Sequence, residues 1–247
     1  MSWPTVDREP VQLPVLAGHD ETLWDTLIEL SEVNPGTWTL IGGQMVFLHG
    51  LEQGRTPPRV STDLDILANA RVVSGAVAAF ASEVEKLGFA LDGMSPEGLA
   101  HRYRRGQVTI DVLAPDGLGP RTDLTTTAPG RTLQVPGGTQ ALDRTEFLPV
   151  STRTSAGHVA RPSLLGAIVA KAVAVRVDDV PEAQRLDFAF LLSLVADPFA
   201  LAERLDPTDR RRLRARGELV DAGHPVWRHL PRGDGDRARA ALRILAG

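Results

Sequence analysis

The chain has 247 residues, 43% of them hydrophobic and 23% charged, which is the composition of an ordinary globular protein and argues against disordered and fibrous classes. No apolar run reaches the roughly 18 to 20 residues of a membrane helix, and the absence of cysteine excludes disulfides and thiolate metal sites. The formal net charge of −4 indicates that any binding to nucleic acid must come from local basic patches.

The first half of the chain is predicted to alternate between helices and strands. The predicted elements are a helix from Asp20 or Glu21 to about Val33, a strand over 37–41, a helix over 44–51, a strand over 61–67, a helix over 76–87, and two strands over 99–105 and 107–113. Gly106 separates the last two strands as in a tight hairpin. Residues 114–161 are rich in Thr, Pro and Gly, and we expect irregular structure with edge strands there.

The second half of the chain is predicted to be helical. The expected helices cover 164–177, 181–194, 201–205, 207–219 and 237–245. We therefore expect an N-terminal helical segment over 1–36, an α/β core over 37–160 and a helical C-terminal domain over 161–247.

The strand over 61–67 carries paired carboxylates. Residues two apart in a strand share a face, so Asp63 and Asp65 stand side by side while Leu64 and Ile66 point to the opposite face. Asp111 is a third carboxylate, inside an apolar strand where an unpaired charge is costly. Mutual repulsion favours a hard divalent cation between such groups, most simply Mg²⁺.

Two features bear on whether these carboxylates are functional. Asp63 capping a turn, Asp65 pairing with an arginine and Asp111 ending a strand at the surface would be a purely structural alternative. Against it, Gly42 and Gly43 join a strand to a helix one strand earlier, where free backbone N–H groups and the positive helix end suit a phosphate.

The order of these motifs resembles that of the nucleotidyltransferase superfamily that includes polymerase β. More narrowly, it is similar to the AbiEii/MenT type of nucleotidyltransferase toxin from type IV toxin–antitoxin systems. The resemblance covers about residues 37–195, and the segments that carry it are Leu40-Ile41-Gly42-Gly43, Arg59-Val60-Ser61-Thr62-Asp63-Leu64-Asp65-Ile66 and Ile110-Asp111-Val112. A second match is Lys171 in an apolar helix, followed by Arg185 and Asp187.

This resemblance implies an α/β (α+β) fold, with a mixed sheet flanked by helices and a helical C-terminal half. It implies Mg²⁺-dependent transfer of a nucleoside monophosphate from an NTP to an acceptor hydroxyl. The expected catalytic residues are Asp63, Asp65, Asp111, Lys171 and Asp187, the first three also as metal ligands. The expected nucleotide-binding residues are Gly42, Gly43, Gln44, Arg59 and Arg185, with Gln44 standing where the family often has serine or threonine.

Several basic residues are candidates for contact with phosphate or RNA. The ammonium of Lys171 lies in an apolar helix and must reach a carboxylate, a phosphate or, by snorkelling, water. Arg102, Arg104 and Arg105 lie nearer the expected cleft and are better candidates for RNA or phosphate than the run over 210–216, since such runs are usually solvated helix faces.

The partners expected from the resemblance are an NTP, an RNA acceptor such as the 3′ end of tRNA, and a cognate antitoxin protein. A small-molecule acceptor of the aminoglycoside kind, and a non-catalytic nucleotide-binding regulator or antitoxin, remain as alternatives. The N-terminus lacks the basic start and apolar segment of a secretory signal, so we expect a cytoplasmic protein with no membrane partner.

Overall fold

The computed structural model describes residues 3–15, 22–59, 61–175 and 181–247 of the chain. The strands are β1 (Val11–Gln12), β2 (Trp38–Ile41), β3 (Asp63–Ala68), β4 (Ala90–Leu91), β5 (Arg102–Arg105), β6 (Val108–Pro115), β7 (Gln134–Val135), β8 (Thr145–Ser151) and β9 (Ala156–Pro162). The helices are α1 (Thr22–Val33), α2 (Gly42–Glu52), α3 (Ala76–Lys86), α4 (Gly138–Asp143), α5 (Leu164–Ala174), α6 (Pro181–Ser193), α7 (Pro198–Glu203), α8 (Pro207–Arg214) and α9 (Asp234–Ala246). Short 3₁₀ helices cover Gly217–Val220 and Pro225–His229.

The larger sheet is mixed, in the order β2-β3-β6-β5-β4, with β7 paired to β6. β3 runs parallel to β6, whereas β2 and β5 are antiparallel to their neighbours in this centre. All residues of β6 and most of those of β3 are buried, and α3 packs against both strands. This confirms the predicted mixed α/β fold.

A second sheet lies in the region predicted to be irregular structure with edge strands. β8 and β9 form a seven-residue antiparallel ladder, and β1 adds to β8 in parallel. β9 is at one edge of this sheet, as predicted for a strand in 114–161, whereas β8 lies at its centre between β1 and β9. Pro149 lies within the ladder opposite His158, and a proline inside a strand weakens the sequence signal for one.

The C-terminal helices follow the prediction, with shifted ends. Asp197 and Asp206 cap α7 and α8 because their side chains accept hydrogen bonds from backbone N–H groups of the first turn. Each is followed by a proline in that turn. The proposed cap at Asp20 or Glu21 and the end of the helix predicted over 164–177 lie outside the described residues. In the part of the chain that is described, no helix is long and apolar enough to span a bilayer.

The apolar core is continuous between the sheet and the C-terminal helices. Leu40 and Ile66 of the sheet belong to the same buried cluster as Phe188 of α6 and Leu242 of α9. α5 packs on α6, and α6 on α9. The helical half therefore shares one apolar core with the larger sheet.

Candidate active site

The three acidic residues lie on one face of the larger sheet. In the parallel pairing of β3 with β6, Asp65 is directly opposite Asp111 and Asp63 is opposite Thr109. Register partners and residues two apart in a strand project to the same side, so all three carboxylates share a face. Leu64 and Ile66, on the other side of β3, are fully buried.

The pKa of Asp65 is raised to about 7. Burial is the main cause, because it disfavours the charged form, and the charge of Asp111 and then that of Asp63 act in the same direction. Lys171 and Arg102 oppose the rise. The site therefore has an excess of negative charge close to Asp65, which a cation would relieve.

The turn at Gly42 and Gly43 touches this carboxylate strand directly. Gly42 has a φ of +71°, and a Cβ placed on it would lie 1.7 Å from Asp65 Oδ2. A Cβ on Gly43 would lie 2.5 Å from Cβ of Ser61. Only glycine fits at either position, since a side chain would collide with the strand that carries the carboxylates.

Helix α2 begins at this turn without a side-chain cap. Its N-cap residue is Ile41, which makes no side-chain capping hydrogen bond. Ile41 is also the register partner of Asp65, so the first turn of the helix starts beside the carboxylates. Uncapped N–H groups and the helix dipole at this point suit an anion such as a phosphate.

The side chain of Gln44 is fully buried, and its amide nitrogen donates to the carbonyl oxygen of Ser61. Among the described residues its Oε1 atom has no hydrogen-bond partner. Through the contact with Ser61, Gln44 supports the segment before β3. Its expected contact with a nucleotide stays a prediction.

Arg102 binds the third carboxylate. It is the register partner of Asp111 on β5, and its Nε and Nη2 atoms donate to the two carboxylate oxygens at 2.8 and 2.7 Å. Asp111 is buried, whereas the Arg102 side chain is 44% exposed. The sequence predicts Arg102 only as a contact for RNA or phosphate, and its salt bridge with Asp111 was not predicted.

A second charged cluster joins helices α5 and α6 to the loop before β3. Lys171 Nζ lies 2.8 Å from Asp187 Oδ2 and 2.7 Å from Gln184 Oε1. Arg59 donates to both oxygens of Asp187, at 2.9 and 2.7 Å. Asp187 thus holds two cations, one of which, Lys171, acts electrostatically on Asp65.

Arg59 and Arg185, both predicted to bind nucleotide, make different contacts. Arg59 lies in the cluster, where its guanidinium binds Asp187 and its side chain is 34% exposed. Arg185 pairs with Glu182 and lies 4.0 Å from Glu218. Contact of either arginine with nucleotide stays a prediction.

A cavity of about 270 Å³ opens beside the carboxylates. Asp65, Lys171 and Gln184 supply its charged and polar side chains. Its apolar walls include Leu113, Leu133, Val135, Pro136, Ala141 and Ala170. A cavity with this lining suits a small ligand that has both an apolar part and a polar part.

The donor set suits a hard divalent cation, since it consists of carboxylate oxygens that repel one another. The side chains as they stand do not yet form a ligand cluster. Within 3–15, 22–59, 61–175 and 181–247, no group of three or more His, Asp or Glu residues is arranged to hold a metal ion. Each oxygen of Asp111 instead accepts a hydrogen bond from Arg102.

The other basic candidates differ in what they contact. Arg104 is exposed on the face that carries the carboxylates and pairs with Asp92 at 3.0 Å. Arg105 points to the opposite face, stacks over Phe89 and donates to Thr26. Arg105 is therefore a structural residue.

The run over 210–216 is largely committed to contacts within the chain. Arg210 donates to backbone carbonyls of Ala202 and Leu245, and Arg212 pairs with Asp209. Arg216 pairs with Glu218. The contacts of Arg210 hold α8 against α7 and α9, whereas those of Arg212 and Arg216 are local.

No family model and no curated protein matches this chain. Among solved structures, an antigenic nucleotidyltransferase-like protein from Paracoccidioides brasiliensis is similar at 12% identity and a TM-score of 0.49, covering 89% of this chain and 91% of that one. The antibiotic-resistance factor ANT(2'')-Ia is similar at 17% identity and a TM-score of 0.38, covering 80% of this chain and 94% of that one. Likenesses of this size do not assign an activity, so the function is inferred from the site itself.

Proposed function

We propose that this protein is a nucleotidyltransferase that moves a nucleoside monophosphate from an NTP to an acceptor hydroxyl. The observation that carries the proposal is the meeting of Asp63, Asp65 and Asp111 on one sheet face, beside the uncapped start of α2 at Gly42. Carboxylates and an anion-binding helix end at one place are what a metal–triphosphate substrate needs.

Asp63, Asp65 and Asp111 are the residues that would hold Mg²⁺. Bound there, it would neutralise charge on the phosphates and on the attacking and leaving oxygens. The raised pKa of Asp65 supports this assignment, because a site that holds three carboxylates without a cation is electrostatically unfavourable.

The remaining residues bind and orient the substrate. The backbone N–H groups at Gly42 and Gly43 would donate hydrogen bonds to oxygens of the outer phosphates, at a point where the chain can approach because no Cβ intervenes. Lys171, positioned by Asp187, supplies positive charge on the side of the cavity facing Asp65. The nucleoside would occupy the apolar part of that cavity.

In the reaction, the acceptor oxygen attacks the α-phosphorus and the bond from this phosphorus to the bridging oxygen breaks. Pyrophosphate leaves with the bonding electrons. The proton of the acceptor hydroxyl is released on the side of Asp111. The protein contributes mainly positioning and charge neutralisation, which is the usual division in phosphoryl-type transfer.

The acceptor that we propose is RNA, with the 3′ end of tRNA as the first candidate, and the biological role is that of a toxin with a cognate antitoxin. The support comes from β5, where Arg102 and Arg104 lie on the carboxylate-bearing face. A cationic small-molecule acceptor would favour acidic residues at this place. An RNA backbone favours arginine.

The test is incubation with each of the four labelled NTPs, Mg²⁺ and total RNA. We expect label to enter RNA with at least one NTP, and Asp65→Asn to abolish it. The matched control is Asp143→Asn, since Asp143 is an exposed carboxylate paired with Arg71 away from the site. Absence of transfer with all four NTPs would contradict the proposal, and transfer to small molecules alone would contradict the RNA acceptor.

The toxin role has its own test in cells. Induced expression should arrest growth, and Asp65→Ala should abolish the arrest while Asp143→Ala should not. Growth that continues under full expression of the unaltered chain would contradict the toxin role but not the transfer chemistry.

A further inference from the structure

Arg102 and Asp111 form an ion pair whose two members differ in their surroundings. Asp111 is 7% exposed and has both oxygens filled by the guanidinium. Arg102 lies on β5, next to β6, and its side chain is 44% exposed. The carboxylate is therefore held in place, whereas the arginine can turn into solvent without losing a buried position.

The same arginine also bears on the other two carboxylates. Arg102 lies close enough to Asp63 and Asp65 to interact with both charges. Arg102 thus balances negative charge on all three carboxylates, although its hydrogen bonds go to Asp111 alone. Each oxygen of Asp111 already accepts one hydrogen bond from the guanidinium. A divalent cation bound at the same carboxylate would be repelled by the positive charge of Arg102, so the two compete for Asp111.

We propose that Arg102 is a displaceable counter-ion, which holds Asp111 while no divalent cation is bound and competes with the cation for this carboxylate. This inference rests on the proposed cation site at Asp63, Asp65 and Asp111. It accounts for the finding that, among the described residues, three carboxylates on one face do not form a ready metal cluster. Arg102 stabilises the folded chain without the cation and weakens binding of the cation.

Arg104 provides a matched comparison. It lies two residues further along β5, on the same face, and it also pairs with an aspartate, Asp92. Both members of that pair are exposed, and Asp92 is not one of the three carboxylates on the sheet face. Removing Arg104 changes the net charge as much as removing Arg102 does, but leaves Asp111 occupied.

The experiment measures binding of Mn²⁺ alone to the full chain, without nucleotide, by electron paramagnetic resonance. We expect Arg102→Gln to bind Mn²⁺ about tenfold more tightly than the unaltered chain, a factor that corresponds to about 1.4 kcal/mol. Arg104→Gln should bind as the unaltered chain does. In the Asp111→Asn background, Arg102→Gln should give no gain. Equal affinities in Arg102→Gln and Arg104→Gln, no Mn²⁺ binding by any of these proteins, or an undiminished gain in the Asp111→Asn background would overturn the proposal.

A second variant covers the case in which Arg102→Gln fails to fold. Arg102→Lys keeps the charge but loses the two-pronged contact with Asp111. We expect a smaller gain in Mn²⁺ affinity, and a larger rise in melting temperature on adding Mn²⁺ than in the unaltered chain. An affinity at or below that of the unaltered chain would overturn the proposal.

The readout separates this inference from the proposed function. Mn²⁺ affinities are measured without NTP or acceptor, so a failure of label transfer leaves them unaffected. Active transfer together with equal affinities in Arg102→Gln and the unaltered chain would overturn the role of Arg102 alone. A gain in affinity without any transfer would overturn nucleotidyl transfer alone.

Discussion

Gly42→Ala tests the contact between the glycine turn and the carboxylate strand. Two separate penalties are expected. Gly42 has a φ of +71°, and an L-residue in that conformation costs about 1–2 kcal/mol. In addition, the new Cβ would lie 1.7 Å from Oδ2 and 2.6 Å from Cγ of Asp65, so the carboxylate must move. Overpacking of this kind typically costs about 1–3 kcal/mol.

Gly54→Ala isolates the first penalty. Gly54 has a φ of +63°, close to that of Gly42, and a Cβ there meets nothing within 4 Å. After the stiffening of the unfolded chain offsets part of the strain, we expect a loss of about 1 kcal/mol for Gly54→Ala. For Gly42→Ala we expect about 3 kcal/mol, which is about 6–12 °C in melting temperature at this chain length.

The assay is urea denaturation with thermal melting, done in two backgrounds. Asp65→Ala removes the Oδ2 and Cγ atoms and leaves only the Asp65 Cβ, at 2.9 Å. The cost of Gly42→Ala should therefore shrink in that background, and the difference is the coupling between the two positions. Two results would contradict the predicted clash with Asp65. One is a loss of stability for Gly42→Ala no larger than that for Gly54→Ala, and the other is a loss that is the same with and without the Asp65 carboxylate.

Three further predictions concern charge. The pKa of Asp65 is raised to about 7, so the folded chain keeps a proton that the unfolded chain releases near 3.8, and stability should fall as pH rises through that window. Asp65→Asn should remove this part of the fall in urea titrations, and an unchanged pH profile would contradict it. Asp187→Ala should cost about 3–5 kcal/mol, because it leaves the buried ammonium of Lys171 without its carboxylate. Lys171→Met should cost less, since Asp187 keeps the two hydrogen bonds from its arginine partner, and equal costs in urea denaturation would count against this order. Arg105→Ala should destabilise the chain by about 1–2 kcal/mol and Arg104→Ala by less than about 0.5 kcal/mol, because only the former packs on an aromatic ring. A larger loss for Arg104→Ala would mean that the faces of β5 are assigned the wrong way round.

Some contacts of the site were accessible from the sequence. The alternation in 61–67 predicts that Asp63 and Asp65 share a face, and the structure has them so. The tight turn at Gly106 also determines which residues of β5 and β6 lie opposite one another. Counting outward along its two strands pairs Arg105 with Val108 and so places Arg102 opposite Asp111. Hairpin register is local and can be read once the turn is recognised.

Other features depend on segments far apart in the chain. The β8–β9 hairpin is concealed by Pro149 and by Arg161, a charged residue that lies in β9 at 1% exposure between Glu52 and Glu146. Sequence patterning places such a residue on the surface, because a buried charge is acceptable only when partners surround it. One of those partners, Glu52, comes from α2, which no local pattern connects to β9.

By itself, the sequence determined which residues share a face within one element, because side-chain direction repeats with the period of the strand or helix. It therefore established the pair Asp63 and Asp65. The tertiary structure alone decided that β6 lies parallel beside β3, which sets Asp111 against Asp65, and that the loop before β3 meets α6. Partners across elements follow from strand order and helix packing, which arise from burial of the whole apolar core rather than from any local pattern.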